Sequence, residues 1–184
     1  MKVEIAKRAD GSGVLSGTRR DGSVTWQKQA KHGGFFALHD LTHFAVETAL
    51  AYRHGFFGLI EEGWDVDDTT GKGPRGPLPD EAREVERMVG VFDSERMTGT
   101  LLSTEDFNRF APRPLTTEEI QTVRALRSDL FERWFSLLVG EKLVLDYSAK
   151  NASTAVLKPG RTSEVRESPP RRFDTNPSPS GPRR

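Results

Sequence analysis

The chain has 184 residues, with 27 basic and 27 acidic side chains, so its overall charge gives no argument for a nucleic-acid partner. The absence of cysteine excludes disulfides and thiolate metal ligands. Hydrophobic residues make up only 35%, which predicts one folded domain with part of the chain left outside its core.

The first predicted element is a β-meander. Val3 and Ile5 alternate with charged residues, Val14 to Arg20 reads as a second strand, and Val24 and Trp26 alternate in a third. Asp10-Gly11 and Asp21-Gly22 separate them, and Asp-Gly between alternating runs signals a turn because glycine accepts positive φ. After Gly33-Gly34 the pattern becomes helical from Phe35 to about Arg53, apolar on nearly every side and therefore predicted to be buried. Leu59 to Glu62 predicts a further helical turn.

Residues 63–79 read as a long Gly-, Pro- and Asp-rich loop. A helix is expected from about Asp80 to Phe92, with Ala82, Val85, Met88 and Val89 facing inward, and a short one at Thr104–Phe110. Thr117–Val139 is the clearest helix, opened by a capping box of Thr116 and Glu119. Leu143 to Leu145 predicts one more strand. From Ala149 the chain holds six of the eleven prolines, with eight basic and three acidic residues. That tail carries +5, the remainder −5, and its composition predicts disorder.

The expected fold is therefore α+β. A short N-terminal antiparallel meander precedes a mainly helical bundle with one buried central helix, giving a domain over 1–148 and a basic tail over 149–184. The sequence shows no apolar stretch of signal-peptide length near Met1 and no run long enough to cross a membrane, so a cytoplasmic setting is expected. Contact with nucleic acid is expected only weakly, through the tail.

Chemistry concentrates in HDLTHFAVE. His39 and His43 are four residues apart, which on a helix places both imidazoles on one face at a spacing suited to one ion. Asp40 and Glu47 lie in the same apolar helix, where a polar group must be paired, hydrogen-bonded or metal-bound. Glu47 starts about 6 Å along the axis from His43, at about 1.5 Å per residue, and is suited to orienting a histidine or reaching a second ion. One straight helix runs short of ligands, so a third should come from elsewhere: Glu61, Glu62 or an aspartate of the following loop, with Glu47 the local alternative. Lys72 and Arg75, in that loop, are candidates for holding an anionic substrate.

HDLTH followed by eighteen residues and Glu62 resembles the gluzincin pattern of zinc hydrolases. The resemblance covers about 25 residues and implies His39, His43 and Glu62 as zinc ligands and Asp40 as general base, with Asp40 standing where that family has glutamate. HDxxH is also similar to the metal motif of a ubiquinone-biosynthesis lyase family, but the position of that family's third ligand is Gly55 here. The His39-Asp40 doublet is similar to HD-type phosphohydrolases, which are helical around the doublet, whereas a meander precedes it here.

These readings give an expected divalent-metal enzyme, a hydrolase of a small molecule or peptide using zinc, with Asp40 or Glu47 taking a proton. The alternative is a non-catalytic binding or regulatory protein in which the His/Asp/Glu cluster is a structural polar network.

Overall fold

A computed structural model describes residues 1–28, 33–71, 73 and 75–149. Strands β1 (Lys2–Lys7), β2 (Gly13–Thr18) and β3 (Val24–Lys28) form the expected meander. Both turns use one device. Gly11 and Gly22 adopt φ of 77° and 84°, and the preceding Asp10 and Asp21 carboxylates accept from the amides of Ser12 and Ser23. Strand β4 (Lys142–Asp146), more than 130 residues later in the sequence, pairs antiparallel with β1, so the sheet order is β3-β2-β1-β4. Ile5 stands opposite Leu15 on one side and Leu143 on the other, and this inner face is buried.

Among the described residues, five α-helices follow the meander: α1 (Gly33–Ala49), α2 (Phe56–Glu61), α3 (Asp80–Thr98), α4 (Thr104–Phe110) and α5 (Thr117–Ser136). The helix α1 packs against α2, α3, α5 and strand β2, which explains why it is apolar all round. Ala37, Leu41, Ala45 and Val46 are fully buried there. Each large aliphatic or aromatic side chain buried in this way contributes about 1.5–3 kcal/mol before entropy is counted.

Three differences from the sequence expectation come before α5. First, α1 stops at Ala49 rather than near Arg53, because Ala51 turns into the left-handed region at φ 62°. Second, the loop at 63–79 contains a 3-10 turn, Val66–Thr70, docked on the sheet side by Gln27 to Asp67 and Arg19 to Asp65. Third, α3 runs on to Thr98 instead of ending at Phe92. The apolar pattern fades after Phe92 because the buried face continues in charged residues, Asp93 and Glu95. Glu95 accepts hydrogen bonds from the amide of Leu102 and from Arg124 on α5, and pairs with Arg127 at 3.6 Å. Buried charges so paired join α3 to α5. The expected capping box at Thr116 and Glu119 is present, and α5 ends at Ser136, three residues short of Val139.

No helix among the described residues is long and apolar enough to cross a membrane. The expectation of a disordered tail falls, from residue 150 onward, outside the described residues.

Candidate metal centre

His39 and His43 lie on one face of α1, with ring centroids 4.8 Å apart and planes at 81°. Facing them, α3 runs antiparallel. Its Asp93 meets His39 and its Glu86, two turns earlier, meets His43.

Each imidazole has one nitrogen already held. Nδ1 of His39 donates to Oδ2 of Asp93 at 2.7 Å, and Nδ1 of His43 donates to Oε1 of Glu47 at 3.3 Å. Carboxylates only accept, so both Nδ1 atoms carry the proton and Nε2 is what each ring has left to offer. Nε2 of His43 lies 3.4 Å from Oε1 of Glu86. One ligand atom from each of His39, His43 and Glu86 fits within a span of 4.8 Å. Ligands at about 2.0–2.1 Å from a tetrahedral ion stand about 3.3 Å apart, so modest side-chain contraction would close the set around a divalent ion. His43 is buried, His39 partly so, and Glu86 is half exposed, which leaves the trio open to solvent on the Glu86 side.

The carboxylates behind the rings are themselves fixed. Asp93 also accepts from the Thr42 hydroxyl at 3.2 Å and from Nε of Arg96 at 3.0 Å. Burial disfavours its charge, but hydrogen bonds from His39 and Arg96 outweigh that and hold its pKa below the ordinary value. Glu47, fully buried, accepts from the backbone amides of Phe57 at 3.0 Å and Gly58 at 3.1 Å and from the Tyr147 hydroxyl at 3.1 Å. Burial first, then the Glu47 charge, raises the Tyr147 pKa, so this phenol stays protonated and remains a donor.

Glycine makes the Glu47 cradle possible. A Cβ on Gly55 would collide with the Glu47 carboxylate, and one on Gly58 with the carbonyl of Arg53. At both positions the close approach of the chain leaves no room for a side chain.

His43 sits between two carboxylates. Burial alone would lower its pKa, but hydrogen bonds and charge from Glu47 and Glu86 reverse this and push it up to about 10. The Nε2 proton thus occupies the position a cation would take. Glu86, hydrogen-bonded to His43, is held below the ordinary carboxylate range.

Of the residues singled out from sequence, His39, His43 and Glu47 come together as the helical spacing implied. The third member of the trio is Glu86, on α3, and not a residue of 61–68. Glu62 pairs with His54 at 3.2 Å, and Glu61 accepts from the amide of Ala149 and pairs with Arg20. The chain leaves the direction of α1 at Ala51, and Glu62 lies on the His54 side. Asp40 is buried but is not part of the trio. Arg75 ties its own loop together, donating to the carbonyl of Gly63 at 2.6 Å and stacking over Trp64. Lys72 lies outside the described residues.

Sequence reasoning missed Glu86 and Asp93. Glu86 reads as an ordinary exposed acid on the polar face of α3, and Asp93 lies just past the expected end of that helix. Asp93 sits four residues after the inward-facing Val89 and could have been found by extending the helical period.

The chain matches no protein-family model, no curated protein and no solved structure.

Proposed function

We propose that the protein is a divalent-metal-dependent enzyme whose centre is His39, His43 and Glu86, with zinc as the ion and hydrolysis of a small molecule or peptide as the reaction class. The observation that carries this reading is the paired support behind the rings. Each histidine is oriented through Nδ1 by a carboxylate, Asp93 or Glu47, which is the arrangement that fixes metal-ligating imidazoles. Two histidines and one glutamate are a ligand set of catalytic zinc sites, and three protein ligands leave a position open.

A divalent ion held by His39, His43 and Glu86 would supply Lewis acidity and make water a stronger nucleophile near neutral pH. The chain's own residues do the rest. His39 and His43 would each present Nε2 as ligand, with the His43 Nε2 proton displaced. Glu86 would offer one oxygen as ligand and leave the other available as a proton acceptor. Asp40, the base suggested by the sequence, competes with Glu86 for that role.

A second reading rests on one observation: His43 between two carboxylates is fully satisfied as an imidazolium. The cluster would then only stabilise the contact between α1 and α3. Metal stoichiometry and stability of the same variants separate the two. On the enzyme reading, His39→Ala, His43→Ala and Glu86→Ala each lose bound metal, and Asp40→Asn keeps it. On the structural reading all lower stability, and wild-type protein purified without chelators carries no metal and gains no stability from zinc, manganese or iron.

A further inference from the structure

Gly90 occupies the middle of α3, a 19-residue helix, where glycine is disfavoured relative to alanine. Nothing in the fold asks for it. It is not among the positive-φ glycines, and a Cβ built there meets no atom within 4 Å. It lies four residues after Glu86 and three before Asp93, hence on the face that carries both. About 6 Å of helix axis separates it from Glu86.

Gly90 also lines a groove of about 480 Å³ between α3 and the segment leading through α4, with Val91, Leu102 and Phe110 as its apolar lining and Arg87, Ser94 and Glu95 among its polar residues. That volume suits a small molecule. Its wall residue Phe110 stands 69% exposed. The missing side chain at residue 90 is thus the point where the groove and the metal-facing side of α3 meet.

We propose that this groove receives the apolar body of the substrate, whose polar group reaches the His39/His43/Glu86 centre across Gly90. The substrate class is an amphipathic small molecule with a metal-binding head, such as a carboxylate or its acyl derivative, on a short alkyl or aryl chain. This rests on the metal-centre reading and adds the specificity site to it.

The test uses full-length protein loaded with cobalt(II), whose visible absorption reports on its ligands, titrated with acetate and with octanoate. Octanoate should perturb the spectrum at a concentration at least about tenfold lower than acetate, since each methylene buried in the groove strengthens binding. Gly90→Leu, which fills open space and should fold, is expected to bring the two ligands to near parity with the cobalt spectrum unchanged. Metal-free protein gives an independent reading: octanoate should shift the NMR signals of Val91, Leu102 and Phe110. Equal response to both acids, or an octanoate preference that survives in Gly90→Leu, overturns the groove and leaves the metal centre standing. A protein that gives no cobalt spectrum overturns the metal centre, and this inference with it.

Discussion

Glu47 and His54 carry charge in different settings, and each makes a separate prediction. Glu47 is buried among three donors besides His43, so an amide in its place would turn hydrogens toward hydrogens. Glu47→Gln should cost about 1–3 kcal/mol in denaturant unfolding, the usual penalty for buried groups left unsatisfied. It should also weaken metal binding about 10–100-fold by releasing the His43 ring. Unchanged affinity alongside lost stability would make Glu47 a core residue only. His54 is partly exposed, held at Nδ1 by Glu81 at 2.8 Å and near Glu62 at Nε2. The Glu81 hydrogen bond, opposed by burial and helped by both carboxylate charges, raises its pKa above 6.5. The folded state therefore holds a proton that the unfolded chain gives up at lower pH. The stabilisation is fully present below 6.5 and is lost as pH rises through the raised folded value. The stability difference between wild type and His54→Gln should accordingly shrink from pH 6 toward pH 9, on the order of the imidazole titration range. A difference that grows over that interval would contradict the pairing.

Two adjoining elements converge on one carboxylate. The turn from α1 into α2 brings the amides of Phe57 and Gly58 onto Glu47, and the residue following β4, Tyr147, adds its hydroxyl. Gly55 permits this approach, since a Cβ there would overlap the Glu47 side chain, which is buried and cannot swing away. Gly55→Ala should destabilise the protein by about 1–3 kcal/mol, as overpacking does, measured by chemical denaturation. Its effect on metal affinity should follow that of Glu47→Gln, because both disturb the same hydrogen bond to His43. Gly90→Ala is a useful contrast: it meets open space and should raise the melting temperature. If both alanines behave alike, the cradle around Glu47 is looser than described.

At the scale of the whole molecule, α1 is enclosed by the sheet and by α3 and α5, so a metal ion held on α1 would have rigid support on both sides. The tail from Ala149 holds few large apolar residues and eight of the 27 basic ones. Its composition predicts that deleting residues 155–184 leaves the melting temperature almost unchanged. A fall of several degrees in calorimetry would mean that the tail docks on the domain.

The sequence by itself determined the local elements. The Asp-Gly turns and alternation defined the meander, the capping box opened α5, and an all-round apolar helix announced α1 as central, because these signals act within a few residues. The spacing of His39 and His43 placed both rings on one face for the same reason, and the shortage of ligands on a straight helix called for a carboxylate from elsewhere. Which carboxylate arrives was decided only by the tertiary structure. The antiparallel packing of α3 on α1 brings Glu86 and Asp93 to the histidines, while the turn at Ala51 carries Glu62 to His54. The pairing of β4 with β1, far apart in the chain, likewise depends on a shared buried face. Contacts of this kind follow from how surfaces fit after the elements have formed, and no pattern local to either partner records them.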